Sequence, residues 1–587
     1  MKTNSFLIIA SMALLIGCNN NPPQEKISYP ETRKTEQADV YFGTSIADPY
    51  RWLENDTSAE TTAWVEAENK VTNAYLAKIP FRDKIHKRLE AIWDYPKQTA
   101  PFKKGKWIFS EKNDGMQNQY VLYVQEGLNG TPRMLLDPNT LSDDGTIALG
   151  DISPSRDGSY LAVSINKAGS DWTEYWVYDV ATGKKLDDKI EWVKFSGASW
   201  LGDGFFYSRY DAPIKGKELS NKNEYHKVYF HKLGTPQSED KLIYENRNFP
   251  LRNYYAGVTE DERFLILSES EATNGNALYV KDLTKQGGNF MKIADGFKNE
   301  YSVVDNLGDK LLIKTNDSAP KGKLVLVDPA KPAPADWKIV IPEKPEVLQS
   351  VVICGGKLFA SYMKDATDRI ISFDYDGRQL SEIAFPVPGT ITSFNGEKSD
   401  NTVFYGFTSF TYPMTIFTYD VAKNSSEVFY KPPIDFDASQ YESKQVFYAS
   451  KDGTKIPMFI VHKKGLKMNG NNPALLYGYG GFNVSMTPGF SISRLVFLEN
   501  GGVYAMPNIR GGGEYGEEWH EAGTKLNKQN VFDDFIAAAE YLIKENYTSS
   551  EKLAISGGSN GGLLVGACMT QRPDLFKVCL PAVGVMD

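Results

Sequence analysis

The sequence predicts a two-domain protein in which a seven-bladed β-propeller is joined to a parallel α/β domain. Three observations carry that prediction. A strand pattern returns seven times between about Tyr95 and Pro432. Strands and helices alternate after Pro432-Pro433. Within that later part, Gly557-Gly558-Ser559-Asn560-Gly561-Gly562 stands between a short apolar strand and a helix-forming run.

The repeat is three or four alternating apolar residues followed by a polar residue that opens a turn. It reads Val121-Leu122-Tyr123-Val124-Gln125 at its first appearance and Ile416-Phe417-Thr418-Tyr419-Asp420 at its last. The polar positions Gln125, Asp179, His231, Asp282, Asp328, Asp374 and Asp420 stand 54, 52, 51, 46, 46 and 46 residues apart. A unit of about 40–50 residues has the length of a propeller blade. Turn-then-strand pairs lie upstream, such as Arg156-Asp157-Gly158 before Tyr160-Leu161-Ala162-Val163. Two or more strands per unit without a helical period favour a propeller over a pair of β-sandwiches with coincidental spacing.

Before the repeat, residues 62–79 place Trp64, Ala67, Val71, Ala74, Tyr75 and Ala77 largely on one helical face. After it, Pro457–Val461, Ala474–Tyr477, Gly502–Met506 and Leu553–Ile555 read as strands. Val531–Lys544 reads as an amphipathic helix with Phe532, Phe535, Ile536, Ala539, Leu542 and Ile543 on its apolar stripe. Such alternation implies a parallel sheet.

Composition removes several classes. Apolar residues at 41% and charged residues at 24% specify a folded globular chain. A net charge of −9 argues against nucleic acid as a partner, since a phosphate backbone needs a basic face. No apolar run approaches the ~18 residues of a spanning helix, which excludes a polytopic membrane protein. Four cysteines are too few for a disulfide scaffold, and Cys568 and Cys579 sit in apolar surroundings expected to bury free thiols. No His or Cys pair has metal-ligand spacing, so neither a metal nor another cofactor is implied.

The N-terminus reads as an address. Lys2 precedes an almost wholly apolar run from Phe6 to Ile16, and Leu15-Ile16-Gly17-Cys18 resembles a bacterial lipoprotein box. Residues 1–17 are then a signal peptide, and Cys18 is the lipidation site. Residues 18–27 form a polar tether, so the expected location is the cell envelope, with the membrane reached only through acyl chains. The alternative is an ordinary secretory signal in which Cys18 is incidental.

The chemical signal lies at Ser559. A G-x-S-x-G between strand and helix is a nucleophile elbow, the turn that lifts the serine of an α/β-hydrolase above its sheet. Gly557 and Gly561 are expected where side chains would collide across the turn. The Asn560 amide, next after the nucleophile, is the first oxyanion donor. Tyr477-Gly478-Tyr479-Gly480-Gly481-Phe482 follows a strand, and reads equally as a loop bringing backbone or a phenol to the nucleophile or as an aromatic turn. Asn508-Ile509-Arg510-Gly511-Gly512-Gly513-Glu514-Tyr515-Gly516 reads as an anion cradle or, on composition, as a simple strand-to-helix turn.

These three motifs in this order, with Asp48-Pro49-Tyr50-Arg51-Trp52-Leu53-Glu54 upstream, resemble the prolyl oligopeptidase family of serine peptidases from about residue 28 onward. The resemblance implies an α/β-hydrolase domain of residues 433–587 with an N-terminal piece at 28–94, and a seven-bladed propeller at 95–432 over the active site. It implies Ser559 as nucleophile, with the Asn560 amide and the Tyr479 hydroxyl as oxyanion hole. Phe482 and Val585 are implied to line a proline pocket, and Phe195 a subsite on the propeller. The substrates implied are short proline-containing peptides, taken by a monomer.

In α/β-hydrolases the acid and the histidine follow the serine. After Ser559 the sequence holds Asp574 and Asp587 but no histidine, and His86, His226, His231, His462 and His520 all precede it. His520 would break the order. The expectation is a catalytic domain incomplete at its C-terminus and, taken alone, inactive. The other functions to be weighed are a related oligopeptidase with a basic-residue preference and a surface-anchored propeller that binds through an inactive hydrolase domain.

Overall fold

The computed structural model describes residues 27–285 and 287–586. The leader with Cys18 lies outside the described residues. The chain divides into two compact units between Arg88 and Leu89.

In the first unit, strands Ala38–Tyr41 and Thr44–Ala47 pair as an antiparallel hairpin. The Arg51 guanidinium donates to Asp39 and to Asp48, which ties this hairpin to the segment after it. The helix expected over 62–79 is present as Ala59–Ala77. It starts earlier because the Ser58 hydroxyl accepts the Thr61 amide at 3.1 Å and caps the first turn.

In the second unit, residues 97–430 build antiparallel sheets in a propeller. Each copy of the sequence pattern is the third strand of a four-strand repeat, from Val121–Glu126 and Thr173–Asp179 through to Thr367–Phe373 and Tyr412–Asp420. The recurring aspartate has a local cause. Its side chain accepts an amide two or three residues on and so shapes the turn: Asp179 from Thr182, Asp282 from Thr284, Asp328 from Ala330, Asp420 from Ala422.

The sequence predicts seven separate blades, and here the structure corrects it: the described residues form six propeller sheets. Four have four strands, one has five, and one has eight. The eight-stranded sheet holds the second and third repeats. Strand Lys185–Val193 continues past Trp192, at φ 60°, so that Val193 pairs with Arg209 of the next repeat.

Neighbouring repeats share apolar clusters. Leu312, Leu324 and Ile341 pack with Leu348, Leu358 and Phe373 of the following sheet, and Cys354 and Phe359 with Phe394 and Tyr405 of the one after. The joint between last and first sheets differs. There Lys103 reaches Asp400 at 2.6 Å and Lys104 reaches Glu397 at 2.5 Å.

Residues 441–582 form the α/β domain. Its strands are β1 (Tyr441–Ala449), β2 (Lys455–Lys463), β3 (Ala474–Tyr477), β4 (Val503–Pro507), β5 (Leu553–Gly558) and β6 (Val578–Ala582). They lie in the order β1-β2-β4-β3-β5-β6. β4, β3, β5 and β6 run parallel, while β1 and β2 are antiparallel to their neighbours. The helices are α1 (Ile492–Glu499), α2 (Glu517–Glu521), α3 (Gln529–Lys544) and α4 (Asn560–Gln571). Val531, Phe535, Ala538, Ala539 and Leu542 of α3 are buried in one cluster with Leu476, Ala505, Ile555 and Leu564. That buried stripe is the reason the amphipathic period was visible in the sequence. Cys354 and Cys568 are buried free thiols, and Cys579 is half-buried and also free.

Candidate active site

Because β3 to β6 are parallel, their carboxyl ends open on one edge of the sheet, where sites in such sheets form. The loops leaving that edge are Gly478–Phe482 after β3, Asn508–Gly516 after β4, Ser559 after β5 and Val583–Met586 after β6.

Ser559 links β5 to α4 at φ 56° and ψ −119°, a backbone conformation disfavoured for a residue with a Cβ. The side chain is exposed. The turn is held by its backbone: the Ser559 amide donates to Ala582 O at 2.9 Å, and the Gly562 amide to Ser559 O at 2.8 Å. The expected need for glycine is met. A Cβ on Gly557 would stand 2.4 Å from Gly561 O, and one on Gly561 would stand 2.5 Å from Gly478 O. The elbow is therefore pressed against the β3 loop with no room for a methyl group.

The Asn560 side chain bridges the same two segments, its Nδ2 donating to Tyr479 O at 2.6 Å. Tyr479 is half-buried, with its Cα 3.6 Å from where a Gly561 Cβ would lie. Phe482, at φ 52° and mostly exposed, lines a cavity of about 760 Å³ together with Phe195, Tyr255 and Tyr301 of the propeller. Phe195 and Phe482, far apart in sequence, are thus brought together. Val585 is exposed and lies outside that lining. Its neighbour Gly584 abuts Gly562, so the segment runs beside the first turn of α4.

The Asn508–Gly516 loop serves packing. A Cβ on Gly511 would stand 2.8 Å from Gly480 O, and one on Gly513 2.6 Å from Asn483 Oδ1. Its glycines let it lie against the β3 loop. Arg510 is buried and faces away from any substrate space: Nη2 and Nε bond Asp534 of α3 at 2.6 and 3.0 Å, and Nη1 bonds Asp452 at 2.5 Å. Glu514 is buried and accepts from the Met486 amide at 2.8 Å and Asn508 Nδ2 at 3.1 Å; burial pushes its carboxyl up to about 7.

His520, on α2, belongs to this framework. Its Nδ1 lies 2.8 Å from Gly511 O, and its Nε2 lies 2.7 Å from Asn274 Nδ2 in a propeller loop. His231 lies between Asp188 and Asp240 at 3.0 and 2.7 Å, and His226 between Lys194 O and the Tyr254 amide. His462 bonds Lys463 O. None of these four bonds Ser559.

Sequence reasoning missed Lys528, just before α3. Its ammonium donates to Gly480 O at 2.8 Å and to Asn560 Oδ1 at 3.1 Å. The one available signal was electrostatic, since a cation at the start of a helix opposes the helix dipole and so asks for another partner.

An exposed serine on a strained elbow, with a backbone amide beside it at the start of a helix, defines a serine hydrolase of the α/β-hydrolase kind, here carried beside a propeller. Comparison with known proteins narrows the class. Residues 29–432 match the family description "Prolyl oligopeptidase, N-terminal beta-propeller domain", and residues 488–587 match "Prolyl oligopeptidase family". A prolyl endopeptidase of Elizabethkingia meningoseptica is 50% identical over 100% of this chain and 83% of its own length. One of Dictyostelium discoideum is 36% identical over 96% and 84%. Among solved structures, a prolyl endopeptidase at 39% identity superposes with a TM-score of 0.90 over 94% of this chain and 82% of the other. Prolyl oligopeptidase B of Galerina marginata, bound to a 25-residue macrocyclization substrate, does so at 33% identity with 0.90 over 96% and 83%. The chain belongs to the prolyl oligopeptidase family.

Proposed function

We propose that the protein is a serine endopeptidase that hydrolyses short peptides on the carboxyl side of proline. The observation that carries this reading is the elbow at Ser559, locked to the Tyr479 loop through Asn560, in a chain half identical to prolyl endopeptidases. In the proposed reaction the Ser559 oxygen attacks the peptide carbonyl and a base takes its proton. The amine leaves, and water hydrolyses the acyl-enzyme. The Asn560 amide and the Tyr479 hydroxyl are assigned to the oxyanion, Phe482 and Val585 to the proline side, and Phe195 to a more distant residue of the peptide. The cavity between Phe195 and Phe482 supports that last assignment, as its volume suits a few residues and not a folded protein. The eight-stranded sheet is proposed to act as two blades, making seven in all; the near-regular spacing of the repeats supports this count.

The test is a panel of chromogenic peptides that differ only in the residue before the cleaved bond. It uses the protein encoded by the whole reading frame, with Ser559→Ala as blank. Proline is expected to be preferred over alanine by about tenfold or more, the scale of one well-filled apolar pocket. Preference for arginine would replace this reading with a basic-residue oligopeptidase. Absence of Ser559-dependent turnover from a folded protein would leave a binding function.

The location proposed is the cell envelope, through acylation of Cys18, as a monomer. Among the described residues no helix is long and apolar enough to cross a membrane. Cys18→Ser is expected to move the protein from the membrane to the soluble fraction, because acyl chains supply the attachment. An unchanged membrane fraction with no labelled lipid on the wild type would refute the anchor.

A further inference from the structure

Lys528 occupies an unusual position for a lysine. It is half-buried, forms no ion pair among the described residues, and sits at the start of α3, where the helix dipole disfavours a cation. Desolvation lowers its ammonium below the ordinary lysine value. Nothing in this setting favours the charge except two oxygens: Gly480 O at 2.8 Å and Asn560 Oδ1 at 3.1 Å. Those oxygens belong to the two segments that meet at the elbow. Gly480 follows Tyr479, and Asn560 follows Ser559. The Asn560 side chain, oriented by the lysine at its oxygen, spends its amide on Tyr479 O at 2.6 Å. Lys528, Asn560 and the 479–480 backbone therefore form a closed bracket across the gap between the two segments.

We propose that Lys528 is a positioning residue for the oxyanion site. By bridging Gly480 and Asn560, it fixes the Tyr479 hydroxyl and the Asn560 amide at the spacing at which both reach the carbonyl oxygen attacked by Ser559. Its fixed positive charge stands behind them as negative charge develops. The inference rests on the reading of Ser559 as nucleophile. It does not rest on the proline preference, because any acyl substrate passes through the same anion.

A positioning role acts on the transition state more than on substrate binding. Misplacement by about 1 Å can cost about 10²-fold. Lys528→Met keeps the aliphatic stem and removes the ammonium. In the protein encoded by the whole reading frame it is expected to lower kcat at least about tenfold with KM within about threefold. A substrate-like peptide aldehyde, which forms a tetrahedral adduct with Ser559, should lose affinity by the same factor. A product peptide ending in proline should bind unchanged. Combined with Tyr479→Phe, the loss should be less than the product of the two single losses, since both act on one donor.

Lys528→Gln, neutral and shorter, is the second variant. If either variant folds and keeps kcat within threefold of wild type, the proposal is overturned. It is also overturned if the aldehyde and the product peptide lose affinity equally, or if neither variant folds, which would make the lysine structural. Failure of the parent reading looks different: wild type itself would show no turnover dependent on Ser559.

Discussion

Tyr479→Phe is expected to lower turnover about 10²–10³-fold, or roughly 3–4 kcal/mol, while leaving stability and KM close to wild type. The tetrahedral intermediate carries a full negative charge on the former carbonyl oxygen, and the Asn560 amide supplies one hydrogen bond. The proposed second donor is the Tyr479 hydroxyl. Among the described residues that hydroxyl has no hydrogen-bond partner, whereas the Tyr479 backbone oxygen is held by Asn560 at 2.6 Å. The substitution removes one oxygen atom and keeps the ring, and the approach of the Tyr479 backbone to Gly561 does not involve the hydroxyl. An interaction made only in the transition state lowers kcat and kcat/KM together. Steady-state kinetics beside a melting curve checks this. A loss below about threefold would remove Tyr479 from the catalytic set, since one oxyanion donor is worth far more.

Arg510→Met is expected to destabilise the α/β domain by about 3–5 kcal/mol, the usual cost of stranding a buried charge. The Asp534 carboxylate is fully buried and takes three hydrogen bonds from Arg510, two from the guanidinium and one from its amide at 3.0 Å. Without the cation only Ser450 and the amide remain on it. Burial already holds the Asp534 carboxyl above the ordinary carboxylate value, and removal of Arg510 would raise it further. For a domain of this size the loss corresponds to about 10 °C in melting temperature. The double variant Arg510→Met, Asp534→Leu should recover much of it, because an apolar pair leaves no unpaired charge. No recovery in the double variant would place the cost in the buried Ser450 hydroxyl and residue 510 amide, which lose Asp534 as their acceptor. The outer partner adds a pH signature. Asp452 is depressed to about 2, chiefly by its hydrogen bond from Arg510, so its contribution is present above the ordinary carboxylate range and is lost as pH falls toward that value.

Much of the architecture was legible because its causes are local. The repeated apolar alternation marks third strands, and the aspartate after it marks a turn closed within two or three residues. The α3 stripe and the glycines around Ser559 are equally local, each answering to a face to be buried or a methyl group to be excluded. What was not legible depends on contacts between distant segments. The pairing of Val193 with Arg209 follows from a positive φ at Trp192, a residue type that gives no warning of it. The triple glycine after Arg510 reads on composition as a simple strand-to-helix turn, which it is, but the sequence gives no sign that it is pressed against Gly480 and Asn483. Lys528 carries no motif, and its acceptors lie 48 residues before it and 32 after. Chain order argues against His520 as the base, and the structure gives it a separate occupation between Gly511 and Asn274.

The ionic joint of the propeller has a consequence for how the chain is made. Each repeat can find its own hairpins within about fifty residues of emerging. The first sheet, however, meets its last neighbour through Lys103 and Asp400, which are 297 residues apart. At about 5–20 residues per second, ribosomes take roughly 15–60 s to cover that distance. Throughout that interval one flank of the first sheet has no neighbouring sheet, and Lys103 and Lys104 stand among the residues waiting there. An apolar flank left open for so long would invite pairing with other nascent chains. Placing charge at the joint that forms last, and apolar clusters at the joints that form promptly, matches the chemistry of each seam to its order of appearance.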